Sequence, residues 1–318
     1  MKRLLAVLFV AAVSLGVAAP DAARKPIVIA PGVTVGGVHV GGMMSEAART
    51  RVEAAFGRPL RLQFRDKRWR ISPRYLGASA GIDRAVAEAL RAAPRARVRL
   101  EVAAAQPRIR RYVNRLDRLF SRDAVDSEVV GVVGGRPKFT EAQTGLSVER
   151  EGMAAALTRA LRSNNRRTPI ELIVSTVEPK VTPANYGPVV IIHRGSNRLS
   201  LFDGPSLVRR FGVATGSSEY PTPLGSYSIA TKQMNPWWIP PPDSEWAKDA
   251  EPIPPGPGNP LGTRWMGLTA PLVGIHGTPD AASIGYSASH GCIRMRVPEA
   301  EWLFSRVEVG TPVLIVPA

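Results

Sequence analysis

The sequence has few of the residues that most often do chemistry. Its 318 residues include one cysteine, Cys292, and four histidines. A lone cysteine cannot close an internal disulfide, and the chain lacks the several thiol or imidazole ligands of a structural zinc site. No metal or cofactor site is therefore expected. Beyond the amino-terminal stretch, no apolar run approaches the roughly 20 residues that span a bilayer. Acidic residues are also short, 26 Asp and Glu against 42 Lys and Arg, for a formal net charge of +16. What is present is ordinary for a globular protein: 44% hydrophobic and 21% charged residues exclude a disordered chain. Gly and Pro number 29 each, which favours turns and short strands over a helical bundle. The length predicts two or three packed units.

The positive charge is unevenly placed. Residues 1–180 hold 32 Lys and Arg against 16 Asp and Glu, whereas residues 181–318 hold 10 against 10. A boundary near Lys180 thus separates a basic part from a neutral one. At the start, Met1-Lys2-Arg3 precedes an apolar run from Leu4, and Val17-Ala18-Ala19 or Ala22-Ala23 offers small residues for cleavage. This reads as a signal peptide over 1–23, with export and cleavage favoured over a retained anchor. The absence of a lipobox cysteine excludes lipid attachment. In an exported chain an unpaired cysteine is a candidate reactive thiol, against the alternative of a small buried hydrophobe.

Residues 27–178 read as α+β. The run Ile27 to Val40 is β-branched and broken by glycines, Ser45 is placed to cap a helix, and residues 60–64 and 68–71 pair across a turn. Helices follow over 82–92, 110–120 and 149–161, and strands over 98–103, 128–133 and 170–177. Gly77 and Gly145 share an offset of 68 with Ile71 and Phe139, and Leu100 and Leu172 differ by 72. Two copies of a helix–hairpin–helix–strand unit are expected, 24–104 and 105–180. Arginines often spaced by two (Arg61, Arg65, Arg68, Arg70, Arg74, then Arg95, Arg97, Arg99) form a basic stripe, either a solvated face or one drawn to an anionic polymer by its field. His39 and His193, in strand patterns, read as structural.

After a short linker at 178–183, segments such as VVIIHR, NRLSLFD and GSYSIAT predict a mainly-β, sandwich-like or barrel-like domain over 185–318. Met234 to Pro260 is too proline-rich for either regular element. Its three tryptophans suggest a packed loop, read here as a lid beside a site.

That site is sought in residues 276–295, HGTPDAASIGYSASHGCIRM. Thiol catalysis needs a thiolate, a base and donors for an oxyanion. Cys292 supplies the first. His276 is the best candidate base, although His290, two residues from the thiol, would share its face on a strand. Gly291 permits close backbone approach, and the N–H groups of Gly291 and Cys292 are candidate oxyanion donors.

Two resemblances follow from these motifs. PGVTVGGVHVGGMMSEAA with the two units after it resembles the peptidoglycan-binding modules that precede exported cell-wall enzymes. Tyr220 to Gly225, Gly258 to Gly262, Gly274 to Thr278, Ser283-Ile284-Gly285 and Ser289 to Met295 resemble, in order, the YkuD-type L,D-transpeptidase catalytic domain over about 187–317. That resemblance implies Cys292 as nucleophile, His276 as proton acceptor and donor, and His290 as orienting, with Gly291 and Cys292 on the oxyanion side. Arg294, Ser289, Trp265 and Tyr286 are expected on the substrate side, with Arg294, a position where some members carry Asn, either pairing a substrate carboxylate or forming a structural salt bridge. The implied reaction is acyl transfer from a peptidoglycan tetrapeptide stem to an amine, giving crosslinks between third residues, or to water. Carbapenem-type inhibitors are expected to acylate the thiol. Expected partners are stem peptides and anionic wall polymers, not nucleic acid. A wall-binding protein with an inactive catalytic domain is the reading from another class. In this family a serine often follows the first histidine and orients it; here Gly277 stands there, so a backbone carbonyl has to take that part.

Overall fold

The structure, a computed structural model, describes residues 27–163, 168–241 and 244–317. The signal peptide expected over 1–23 lies outside them. The chain divides into two compact units. One combines the residues up to Leu116 with Glu149–Ile173, and the other combines Asp117–Val148 with everything from Val174.

In the first unit, strands β1 (Thr34–Val35) and β2 (Val38–His39) form a hairpin whose turn glycines, Gly36 and Gly37, have φ of 53° and 81°. That mirror-image turn matches strand twist and needs residues that tolerate positive φ. Helix α1 (Ser45–Gly57) follows; Met44, not Ser45, occupies the cap position, one residue from the sequence expectation. Next come a second hairpin, β3 (Leu60–Phe64) and β4 (Lys67–Ile71), then β5 (Ala78–Ala80), α2 (Ile82–Ala89), β6 (Arg97–Val98) and β7 (Val102–Ala104). β6 adds in parallel to β1, and α1 and α2 contribute Ala48, Val52, Val86 and Ala89 to a core with Val33, Val35, Val40 and Val98. Arg61 pairs with Arg70 and Gln63 with Arg68 across the second hairpin, so these polar side chains share one face, opposite the Leu62–Trp69 pair.

The same order of elements is then traced again: α3 (Gln106–Phe120), hairpin β8 (Val129–Val133) and β9 (Arg136–Phe139), β10 (Gly145–Val148), α4 (Arg150–Arg162), β11 (Ile170–Glu171) and β12 (Val174–Val177). Its strands are shared out. β11 joins the first unit, in parallel beside β3, whereas β10 pairs with β12 inside the second. The division therefore does not fall near Lys180, where charge alone suggested it. The reason is apolar packing: Val129, Val132 and Phe139 of the β8–β9 hairpin lie against Val189, Ile191, Phe202 and Leu314.

Those last four residues belong to the main sheet of the second unit. It is built from β13 (Pro188–His193), β14 (Arg198–Asp203), β15 (Ser206–Gly212), β17 (Gly225–Met234), β18 (Arg264–Leu268), β19 (Gly274–Thr278), β21 (Ile293–Arg296) and β22 (Pro312–Val316). The spatial order is β15-β14-β13-β22-β17-β18-β19-β21. Short strands β16 (Thr215–Gly216) and β20 (Ser287–Ser289) pair separately. β13 is buried on both faces, which explains its unbroken Val-Val-Ile-Ile run. Val190 and Ile192 enter one core while Val189 and Ile191 face the β8–β9 hairpin.

The main strands form one eight-stranded sheet, not a sandwich of two. The larger core holds Phe211 of β15 together with Ile293 and Met295 of β21, residues from opposite edges of the sheet. Reciprocal backbone hydrogen bonds between Ala214 and Arg294 join those edges. The sheet thus curls almost into a barrel, and helix α5 (Val297–Phe304) adds Ala300 and Leu303 to its core.

Candidate active site

Sheet register brings the site together. Cross-strand pairing places Gln233 opposite Trp265, Trp265 opposite His276, and His276 opposite Arg294, across β17, β18, β19 and β21. Directly opposed residues share a face, so the four form one transverse row. The alternate positions Ile275 and Ile293 point into the core. The row lies in a cavity of about 460 Å³, which Ser289, His290 and Cys292 also line. Two glycines make room for it. A β-carbon on Gly274 would lie 2.3 Å from Trp265 Cη2, and one on Gly267 2.9 Å from Trp265 Nε1, so the indole rests where side chains would otherwise stand.

His276 is buried, with Nδ1 2.6 Å from the carbonyl oxygen of Gly277. A carbonyl only accepts, so Nδ1 carries the proton and Nε2 keeps its lone pair. Burial pushes its pKa down to about 4, opposed by the Gly277 hydrogen bond and reinforced by the Arg294 charge. The expected backbone acceptor is thus the residue in the serine's place. A β-carbon there would lie 3.2 Å from Val297 Cγ2 and 3.4 Å from Val297 Cα, a fit that leaves little room for a serine.

Cys292 is half-buried, with its thiol 3.6 Å from the carbonyl oxygen of Leu272. Burial raises the thiol pKa, while the N–H of Gly274 and the charge of Arg294 favour the thiolate. Burial thus favours the neutral form of both groups.

The turn holding the thiol is fixed from both sides. Ser289 Oγ donates to the Cys292 carbonyl at 2.6 Å and accepts the Gly291 N–H at 3.1 Å. Thr222 Oγ1 donates to the Gly291 carbonyl at 2.9 Å and accepts the Gly216 N–H at 2.8 Å. Gly291 sits at φ 112°, a conformation that excludes side chains. This corrects two expectations. The Gly291 N–H is engaged by Ser289, which leaves the Cys292 N–H as the candidate oxyanion donor of the two. The chain also turns between β20 and β21, so His290 and Cys292 do not share a strand face.

His290 is instead held by its ring. It stacks on Trp246 at 4.0 Å and 10°, with Tyr220 tilted at 5.0 Å. Burial, then the Arg294 charge, lowers its pKa. Trp246 belongs to the proline-rich stretch, and Trp237, Trp238 and Pro240 from the same stretch line the cavity with it. Buried Asn259 holds the loop, donating to the carbonyls of Pro236, Ile253 and Pro254 at 2.8–3.2 Å. Arg294 lines the cavity 3.9 Å from exposed Asp280, a loose pair that leaves most of its donors to the cavity. Tyr286, expected on the substrate side, is exposed and lies outside the lining. Sequence reasoning missed Gln233 and Thr222, and it placed Trp246 in the loop beside the site without its stack on His290. Thr222 was within reach, since it sits in the Tyr220–Gly225 motif.

The family model of the L,D-transpeptidase catalytic domain (YkuD) matches residues 187–315. The chain is 35% identical over 152 residues to YqjB of Bacillus subtilis (strain 168), a protein named for L,D-transpeptidase activity, covering 46% of this chain and 81% of that one. It is 31% identical over 149 residues to the similarly named YkuD of Bacillus licheniformis, covering 45% and 78%. A third match, from Fuscovulum blasticum and named for the same activity, is 40% identical over 110 residues and covers 34% and 58%. With four-fifths of one such relative spanned at that identity, and with a thiol, an imidazole and an arginine lining one cavity, the chain belongs to the L,D-transpeptidase family.

Proposed function

We propose that the protein is an exported L,D-transpeptidase acting through a thioester on Cys292. The observation that carries this reading is the cavity that Cys292 and His276 both line, with the Nδ1–H of His276 committed to Gly277 and Nε2 left as the base. In the proposed reaction Cys292 attacks the carbonyl joining the third stem residue to the terminal D-Ala, and its proton passes to His276 Nε2. The Cys292 N–H stabilises the oxyanion. Collapse breaks the amide bond, and His276 returns the proton to the leaving amine of D-Ala. An acceptor amine then attacks the thioester, gives up a proton to His276 and restores the thiol. Arg294 pairs with a stem carboxylate, and the lid, stacked on His290 through Trp246, excludes water from the thioester and so favours amine over hydrolysis.

The amino-terminal elements are read as one duplicated α+β unit that holds the enzyme against anionic wall polymer. Carbapenems are expected to acylate Cys292. Intact-mass measurement after meropenem tests the central claim. An adduct on the wild type that vanishes in Cys292→Ala supports it, while no adduct, or one that persists in the variant, rejects it. Chromatography and mass spectrometry of products from a defined disaccharide-tetrapeptide then distinguish crosslinking from trimming.

A further inference from the structure

Outside the catalytic cavity, the first unit contains a second and larger one. It lies between α3 and α4, has a volume of about 940 Å³, and is lined by Arg110, Arg150, Arg159 and Arg162 with a single carboxylate, Glu151. The helix sequences explain the trough. α3 buries Ile109, Tyr112, Val113 and Leu116, and α4 buries Met153, Leu157 and Leu161, each at helical spacing. Beside these seams α4 presents Ala154 and Ala155, too small to fill the space between the helices, and Val113 completes an apolar floor. Arginines stand on the rims. Arg110, Arg159 and Arg162 have no ion pair or side-chain hydrogen bond among the described residues, whereas Arg150 has an interaction of its own. From Arg150 to Arg162 is about 18 Å along the helix axis at 1.5 Å per residue.

We infer that this trough is a binding site for an acidic peptide, the carboxylate-bearing stem of the polymer on which the catalytic unit acts. The inference rests on the proposed reaction for the identity of the peptide, not for the existence of the site. Guanidinium groups bind carboxylates through paired N–H donors. Gln106 and Asn114, which also line the trough, offer amide groups for a peptide backbone, and the alanine floor suits small apolar side chains. A phosphodiester polymer would use the arginines but leave the apolar floor uncovered. The trough is distinct from the arginine stripe on the β3–β4 hairpin, and a peptide held there would raise the local concentration of stems near the enzyme.

The test uses the full chain carrying Cys292→Ala, which cannot turn over. It is mixed separately with a purified disaccharide-tetrapeptide, its carboxyl-amidated form and sodium polyphosphate. Calorimetry gives affinity, and hydrogen–deuterium exchange locates binding. The free-acid peptide is expected to protect residues 106–114 and 150–162. Arg159→Gln with Arg162→Gln weakens binding about tenfold or more, the loss of two charge-assisted contacts. Ala155→Trp, which fills the exposed trough and leaves its charge unchanged, abolishes that protection. Protection confined to the lid and catalytic cavity overturns the inference. So does polyphosphate binding that exceeds peptide binding and survives Ala155→Trp, since the arginines then act only as a charge field. If wild-type Cys292 is acylated by meropenem but the trough is not protected, the inference fails alone. If the trough is protected and no acylation occurs, the proposed reaction fails and the site stands.

Discussion

His276 Nδ1 lies 2.6 Å from the carbonyl oxygen of Gly277, the residue next to it in β19. The base is thus oriented by its own strand, and no side chain can be deleted to release it. It can be disturbed by adding one. A β-carbon at Gly277 would press on Val297, both its Cγ2 and its backbone Cα. Gly277→Ala is expected to cost about 1–3 kcal/mol through overpacking and to slow acylation of Cys292 further by shifting the carbonyl. Val297→Ala removes the Cγ2 contact and is expected to restore part of both. Thermal melting and the rate of meropenem adduct formation check this; an acylation rate unchanged in the single variant rejects the orienting contact.

The same burial that lowers His276 raises Cys292. A preformed thiolate–imidazolium pair would give an alkylation rate with a plateau at neutral pH. A neutral thiol and a neutral imidazole give no such plateau. The iodoacetamide rate is expected to keep climbing through neutral pH into the alkaline range, as the fraction of thiolate rises. Rates measured by mass spectrometry across pH 5 to 10 decide the matter, and a plateau between pH 5 and 7 counts against the neutral pair.

His276 also sets part of the acid sensitivity. Its folded pKa is about 4, against 6.5 as the ordinary value. Below 6.5 the unfolded chain takes up a proton that the folded chain refuses. Stability present above pH 6.5 is therefore lost as pH falls, with the loss complete near pH 4. The size is about 3 kcal/mol for a shift of this order. His276→Asn removes the titration, so its denaturant-derived stability is expected to fall less between pH 6.5 and 4 than that of the wild type. Parallel profiles for the two proteins would show that His276 contributes nothing to this window.

The lid offers a separate handle. Asn259 donates to three loop carbonyls and accepts the Leu261 N–H at 2.8 Å, all in a buried position. Asn259→Ala leaves those groups without partners and is expected to cost about 1–3 kcal/mol locally. It should open the loop to limited proteolysis between residues 235 and 260 and slow acylation while the rest of the sheet stays folded. Trp246→Ala, which unstacks His290 and removes the tilted contact with Trp238, is expected to slow acylation with little change in melting temperature. Equal effects of both variants on melting would mean that Trp246 is simply a packing residue.

Much of the site was legible because it is written locally. Cys292, His276, His290 and Arg294 lie within nineteen residues, and the glycine between the thiol and His290 announces a turn. What the sequence hid depends on register or on distant chain. Gln233 reaches the cavity only because β17 pairs with β18 in one register, and Trp246 only because the proline-rich loop folds back onto His290. Strand patterning predicted the mainly-β domain, but closure of the sheet depends on the Ala214–Arg294 bridge, which joins positions 80 residues apart. The Gly291 N–H was misread because Ser289 could as well have faced the cavity as the turn. The charge change near Lys180 lies close to residue 187, where the family match begins, whereas the compact unit also takes in the β8–β9 hairpin, because hydrophobic contact decides which surfaces stay together.

A piece beginning at residue 185 would retain every motif of the catalytic domain, yet uncover Val189, Ile191, Phe202 and Leu314, which the β8–β9 hairpin covers. Val132 and Phe139, half-buried against that face, are far in sequence from any catalytic residue. Phe139→Ala is expected to destabilise the second unit by about 2 kcal/mol or more, since a half-buried aromatic loses less than a fully buried one. Tyr186, tilted on Phe139 at 4.9 Å, loses its ring partner in the same variant. The residue 185–318 piece should aggregate or melt well below the full chain. An isolated piece that melts with the full chain and is acylated at the same rate would show that the hairpin is dispensable.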